Sequence, residues 1–360
     1  MQEFLCFVNV AQYKNIMRKE NFIKMKNNKL RIVLPDVKNV TYGDLDLSIF
    51  EKYGEVITYP TSKTEELAKR LEGADVILCN KTLLNENTLK NAPNLKYIGL
   101  FATGYNNVDL EYTNSKNVVV SNAGSYSTES VAQHTFALIL NHYNKINEYS
   151  KFTSEGRWIG SETFSPFIYP MGELNNKTIG IIGFGSIGVK VAKIARAFDM
   201  NIVAYSRNIE RVKETIDREF SKEDIYNNKI IATDLENLVK VSDIVTLHCP
   251  LNNESDKLID KELLRKFKKG SYLVNTSRGG VINEEDLIEA LEEEWLSGAA
   301  LDVINTEPMS TECKLLNTKN ITITPHIAWA PYETRKRLLD IVEENLASFI
   351  EGNPKNVVSK

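Results

Sequence analysis

Apolar residues fall in short clusters along most of this chain, with polar stretches of helical period between them. Leu30-Arg31-Ile32-Val33-Leu34 is the first clear cluster. Val56-Ile57, Val76-Ile77-Leu78, Leu95 to Leu100 and Val118-Val119-Val120 follow, and Glu65 to Leu71 reads as a helix among them. Short apolar runs bounded by turn residues predict buried strands. Ser127 to Asn141 predicts a long helix, because Val131, Ala132, Phe136, Ala137, Leu138 and Leu140 keep helical spacing behind Thr128 and Glu129. A second series of strands starts at Thr178-Ile179-Gly180-Ile181-Ile182. It continues through Ile202 to Tyr205, Ile230-Ile231, Ile244 to Leu247, Tyr272-Leu273-Val274, Gly298 to Leu301 and Ile321 to Thr324. Glu333 to Ile350 closes the pattern as a helix with Leu338, Leu339, Val342, Leu346 and Phe349 on its apolar side. Strand-helix alternation of this kind predicts layered α/β domains with parallel sheets.

Two stretches break the pattern. Residues 1–28 are rich in lysine and asparagine after an apolar start and carry no period, which predicts an extension without ordered packing. A docking arm there has little support. Asn144 to Lys177 reads as an irregular segment bearing Trp158, Phe164, Phe167 and Tyr169. Loops this long are usually functional or packed on something. These aromatics either fold onto their own domain or clasp a partner subunit.

Composition narrows the classes. With 360 residues and ~150 per domain, two domains are expected. Lys+Arg at 44 against Asp+Glu at 48 leaves a net charge of -4, which gives no basic footprint for nucleic acid and no polybasic membrane patch. No apolar run approaches the ~20 residues of a membrane span. The four cysteines, Cys6, Cys79, Cys249 and Cys313, are too scattered to pair as metal ligands, so no metal is expected. The expected compartment is the cytoplasm.

Gly183-Phe184-Gly185-Ser186-Ile187-Gly188 is G-x-G-x-x-G, placed where a buried strand ends and an apolar-periodic helix begins. Gly183 permits the tight turn, Gly185 lets backbone approach a pyrophosphate, and Gly188 lets the helix pack on the sheet. Backbone N–H groups and the positive helix end then hold phosphates. The next strand ends in Ser206-Arg207, where an NAD site normally places Asp or Glu. Serine does not repel a 2′-phosphate and arginine can bind one in bidentate fashion, so the cofactor is NADP or NAD with NADP favoured.

The chain has four histidines. His134 and His142 fall in or just after the long helix and read as packing or surface residues. His248, before Cys249-Pro250, and His326, after Pro325, follow predicted strands at the carboxyl ends, where open α/β sheets bind ligands. Arg278, after Thr276-Ser277, and both Asp302 and Glu307 share that location.

Asn275-Thr276-Ser277-Arg278-Gly279, Leu301-Asp302-Val303 through Glu307-Pro308, and Pro325-His326 together resemble the signature of the D-isomer-specific 2-hydroxyacid dehydrogenases. The likeness runs from about Leu30 to the C-terminal helix. It includes Ala102-Thr103-Gly104-Tyr105-Asn106-Asn107-Val108-Asp109 and Tyr126 to Ala132. The resemblance implies His326 as proton donor, Glu307 as the partner that fixes its tautomer, and Arg278 as the cation that holds the substrate carboxylate and polarises the carbonyl. It implies a carboxylate clamp around Ala102, Thr103 and Gly104, with Trp329 shaping a pocket wall. On the cofactor side it implies Thr128, the glycine motif, Ser206, Arg207, His248, Cys249, Pro250, Thr276 and Ser277, with Asp302 orienting the nicotinamide carboxamide.

His326-Ile327-Ala328-Trp329-Ala330 looks like glycerate dehydrogenases, also called hydroxypyruvate reductases. Hydroxypyruvate is the expected substrate, glyoxylate the next. Other members act on D-lactate or on phosphoglycerate; the latter usually carry smaller residues after the histidine and many have a C-terminal regulatory domain, for which Lys360 leaves no room. Some relatives are dinucleotide-sensing corepressors with an aromatic after the histidine motif. Against that stand the complete triad and the lack of basic regions.

The expected architecture is two Rossmann-like domains, one flavodoxin-like and one dinucleotide-binding, with the cofactor domain inserted in the substrate domain. The substrate domain is expected at 29–125 and 327–360, and the NAD(P)-binding domain at 126–326. Two crossing helices would hinge a cleft. The family is typically dimeric, and Asn144 to Lys177 resembles its dimerisation segment.

Overall fold

The computed structural model describes residues 29–359. The expected extension over residues 1–28 lies outside the described residues. Contacts divide the chain into two compact units, one running to Tyr126 and resuming at Tyr332, the other Ser127–Pro331.

The first unit carries β1 (Leu30–Leu34), β2 (Gly54–Thr58), β3 (Val76–Cys79), β4 (Tyr97–Leu100) and β5 (Val119–Ser121). All pair in parallel, in the order β2-β1-β3-β4-β5. β3 and β4 are buried at every position, which is why they read as unbroken apolar runs. The Asp36 carboxylate, 4% exposed, accepts from the backbone N–H of Asn80, Lys81 and Thr82 and so joins the loops after β1 and β3. After β4, Asn122 Nδ2 donates to Thr103 O at 2.7 Å and the Thr103 hydroxyl donates to Gly124 O. Ala102 to Gly104 therefore form a loop braced by the segment after β5. The helix Tyr332–Ile350 returns to this unit through a Phe349–Tyr97 ring stack and a bidentate Arg335–Asp44 pair, 2.8 and 2.6 Å. The hydrogen bond from Arg335 holds the Asp44 carboxyl well below the usual carboxylate range.

The second unit carries β6 (Thr178–Ile182), β7 (Asn201–Tyr205), β8 (Ile230–Ala232), β9 (Ile244–Leu247), β10 (Ser271–Asn275), β11 (Leu296–Leu301) and β12 (Ile321–Ile323). The order is β12-β11-β10-β9-β6-β7-β8, all parallel. The order in which successive strands are added therefore reverses between β6 and β9, the switch point where such sheets open a crevice. Helices Thr128–Asn144 and Ser186–Ala197 bury Phe136, Ile139, Val191 and Ala195 in one core with Ile179, Ile181 and Ile202.

The stretch after the long helix is less irregular than its composition predicts. Lys145 takes a left-handed φ of 52°, which ends the helix at Asn144, and a second helix, Ile146–Ser154, starts at once. Its few apolar residues, Ile146, Tyr149 and Phe152, are too sparse to announce it. Beyond it Ile159, Phe164 and Phe167 are 92%, 91% and 86% exposed.

Candidate active site

Every strand of the second unit is parallel, so the loops that follow them emerge on one edge. Across that edge the order of strands places His326, Asp302, Arg278, His248, Gly183 and Ser206 side by side.

The cradle sits at the switch point. Gly183 has φ 96°, and a Cβ there would lie 2.5 Å from the His248 carbonyl carbon. Glycine is thus required both for its backbone conformation and for the close approach of the loop after β9. A Cβ on Gly188 would lie 2.3 Å from Gly183 O, so this glycine lets the helix close on its own turn. Gly185 differs: a Cβ there meets nothing within 4 Å. It stands at the open start of the helix Ser186–Ala197, where a phosphate can approach the backbone N–H groups.

A cleft of about 1140 Å³ runs from this cradle. Of the residues expected on the cofactor side, Thr128, Gly183, Phe184, Gly185, Ser186, Ser206, Arg207, His248, Cys249 and Pro250 line it. Ile187, Gly188, Thr276, Ser277 and Asp302 do not line it. Ile187 packs partly against the core, and Gly188 is buried in the helix. Thr276 and Ser277 are 8% and 9% exposed. Both ring nitrogens of His248 are buried and without a hydrogen-bond partner among the described residues. Burial pushes its pKa down to about 3, so the ring is neutral, and burial pushes the Cys249 thiol up. A cleft with an open phosphate turn and an unpartnered imidazole in its wall fits a dinucleotide. At the far end Ser206 stands where an acid is absent, and Arg207 pairs with Glu254 on the opposite wall.

His326, Glu307 and Arg278 lie outside the lining of that cleft. His326 Nδ1 is 2.6 Å from Glu307 Oε2, while Glu307 Oε1 accepts from Ile304 N–H at 3.1 Å. Nε2 is left as the nitrogen that can meet a substrate. The Arg278 turn is built by Asn275, which is fully buried. Its Nδ2 donates to Arg278 O, and its Oδ1 accepts from Ser277 N–H and the Ser277 hydroxyl. The turn stacks directly on the loop of Glu307: a Cβ on Gly279 would lie 2.0 Å from the Ile304 carbonyl carbon. Arg278 Nη1 donates to Ser277 O, and among the described residues the guanidinium forms no ion pair.

Asp302 is 1% exposed. Oδ1 accepts from the Thr324 hydroxyl at 2.6 Å and from Ile327 N–H at 2.9 Å, and Oδ2 accepts from Ala328 N–H at 2.9 Å. Burial pushes its carboxyl up, but hydrogen bonds from His134, Thr324, Ala328 and Ile327 outweigh burial and hold it below its ordinary value. The same bonds keep residues 327–331 with the second unit, so the chain leaves that unit at Pro331 and not at His326. Trp329 is half-buried two residues past Ile327. His134, read from sequence as a packing residue, reaches Thr324 Oγ1 at 3.0 Å. Asn275 and Gly279 stand in the sequence signature around Arg278 without a role of their own, and Glu254 carries no sequence signal. Among the described residues no acid, histidine and cysteine cluster can hold a metal ion, and no helix is long and apolar enough to cross a membrane.

Comparison with known proteins gives the family. The family model described as D-isomer specific 2-hydroxyacid dehydrogenase, NAD binding domain, matches residues 136–328. A hydroxypyruvate reductase of Blautia hydrogenotrophica is 38% identical over 334 residues, covering 92% of this chain and 100% of that protein. A glyoxylate reductase of Thermofilum pendens is 36% identical over 84% of this chain and 86% of its own length. A solved acyclic imino acid reductase in complex with NADPH and D-Arg is 28% identical, covering 91% of this chain and 100% of that one, with a TM-score of 0.75. The second unit is accordingly a nicotinamide-dinucleotide-binding domain, and the chain belongs to the D-isomer-specific 2-hydroxyacid dehydrogenases.

Proposed function

We propose that this chain reduces short 2-oxo acids, hydroxypyruvate first and glyoxylate next, to D-2-hydroxy acids, with NADPH preferred over NADH. The observation that carries the reading is the 2.6 Å His326–Glu307 pair, set beside an Arg278 guanidinium with no carboxylate partner among the described residues. When bound, the reduced nicotinamide supplies a hydride to the carbonyl carbon. Arg278 holds the substrate carboxylate and stabilises charge on the carbonyl oxygen. His326 gives its Nε2 proton to that oxygen, so hydride and proton together convert C=O to CH–OH. Glu307 accepts from Nδ1 and so keeps Nε2 toward the substrate. Trp329 forms one wall of the substrate pocket.

The names of the two similar reductases support the substrate class. Ser206, Arg207 and the nearby Arg211, all lining the cleft, support NADPH: none repels a 2′-phosphate and two attract it. The exposed apolar side chains between Gly156 and Met171 support assembly as a homodimer through that segment. Initial rates with hydroxypyruvate, glyoxylate, pyruvate and phosphohydroxypyruvate, each with NADPH and NADH, test the reading. The highest kcat/KM is expected for hydroxypyruvate with NADPH. No turnover of any 2-oxo acid would overturn the reaction, and a strong NADH preference would overturn the cofactor assignment.

A further inference from the structure

We propose that His134 is a positioning residue for the proton transfer at His326, acting through Thr324 and Asp302. The inference rests on the proposed reduction and names a residue that touches neither substrate nor cofactor in it.

His134 lies on the helix Thr128–Asn144, far in sequence from the loop it meets. Its Nε2 is 3.0 Å from Thr324 Oγ1 and 3.4 Å from Asp302 Oδ1. The direction of the bonds follows from proton supply. A threonine hydroxyl has one proton, and at 2.6 Å from the Asp302 carboxylate that proton is committed to Oδ1. The remaining lone pairs of Thr324 Oγ1 can only accept, so His134 Nε2 carries the proton and donates. Asp302 completes the set by accepting from the backbone N–H of Ile327 and Ala328.

The geometry matters because of what lies between these residues. His326 has φ 55°, in the left-handed region that non-glycine residues seldom adopt. Such a conformation persists only where its surroundings over-determine it. Thr324 precedes His326 and Ile327-Ala328 follow it. All three are tied to one buried carboxylate, and His326 N–H itself donates to Asp302 O at 2.8 Å. His134 thus braces both flanks of the strained residue at once. Loss of its N–H leaves the half-buried Thr324 hydroxyl and the buried Asp302 carboxylate short of a donor, and the flanks can then shift. A displacement of about 1 Å at a reacting group can cost on the order of a hundredfold in rate.

The test compares His134→Leu, His134→Gln and Thr324→Val in the full-length protein, with His326→Gln as control. Leucine keeps volume without a donor, and the glutamine amide puts an N–H near the position of Nε2. The expected result for His134→Leu is a fall in kcat of about tenfold or more, with KM for hydroxypyruvate and the NADPH dissociation constant within about twofold. Thr324→Val should reproduce that split, and His134→Gln should recover most of kcat. A kcat for His134→Leu within twofold of the parent would overturn the proposal, as would a glutamine variant no better than leucine. Should His134→Leu not fold, the Gln and Val variants decide by the same split. If His326→Gln is itself fully active, the proposed proton transfer fails, whatever the His134 variants do. If His326→Gln is inactive and His134→Leu is unimpaired, only the positioning role fails.

Discussion

At His326 the Nδ1 nitrogen is spent on Glu307, which leaves Nε2 for the proposed proton transfer. Glutamine at this position keeps the size and a hydrogen bond but has no proton to give near neutral pH. His326→Gln should lower kcat/KM for hydroxypyruvate by about 10²–10⁴. The NADPH dissociation constant, followed by nicotinamide fluorescence, should hardly change, because the cradle lies several strands away in the sheet. A fully active variant would contradict the mechanism. Arg207 poses a separate question at the other end of the cleft. Its partner Glu254 is 64% exposed, so the pair is weak and a 2′-phosphate can take the guanidinium from it. Arg207→Leu should weaken NADPH binding about tenfold and leave NADH binding nearly unchanged, since a charge-assisted hydrogen bond is worth about 1.5–3 kcal/mol. Equal losses for both cofactors would mean that Arg207 does not read the phosphate.

The turn from β6 into its helix separates two uses of glycine within one motif. Gly183 and Gly188 stand against backbone, and an added methyl group at either collides with it. Gly185 has open space and φ -89°, so alanine is accommodated in the free protein. Gly185→Ala should therefore leave the thermal midpoint within about 1 °C while weakening NADPH binding about tenfold or more, since its methyl group points where a pyrophosphate must approach. Gly183→Ala should lower the midpoint itself. A Gly185→Ala protein that binds NADPH normally would remove the phosphates from this turn. Elements of this kind were legible in the sequence because their signals are local. Thr178–Ile182 and Ile244–Leu247 are short, mostly apolar runs ending at turn residues, and the structure places them with those bounds. The helix Ile146–Ser154 was not legible, because it begins from a left-handed lysine and buries only Phe152. His134 escaped for another reason. Its partners lie on β11 and β12 loops up to 190 residues away, and helical period cannot tell a brace from a packing face.

For the whole molecule, charge and surface set what is measurable in solution. The apolar side chains of Ile159, Phe164 and Phe167 are strongly exposed, and the proposed homodimer rests on them. Light scattering should give the mass of a dimer, and Phe164→Glu combined with Phe167→Glu should give a monomer; a monomeric parent would count against the homodimer. Histidines held neutral in the fold contribute to the dependence of stability on pH. Burial, with Lys145 nearby, lowers the pKa of His142 from 6.5 to about 4, and burial lowers that of His248 to about 3. The sign follows from proton binding. Below pH 6.5 the unfolded chain takes up protons that the folded protein refuses, so stability rises with pH in this window. The contribution is complete above pH 6.5 and is lost progressively down to about pH 4 for His142 and about pH 3 for His248. For His142 the loss by pH 5 is about 1–2 kcal/mol, enough to move the thermal midpoint by several degrees. Carboxylates paired in the fold add their own losses only at lower pH, which isolates the histidines between pH 6.5 and 5. His142 stacks on Tyr272 with ring centroids 3.8 Å apart, so phenylalanine can keep the stack without the titration. Midpoints measured by calorimetry should fall from pH 6.5 to 5 in the parent and fall less steeply in His142→Phe; identical slopes would show that His142 does not carry this dependence.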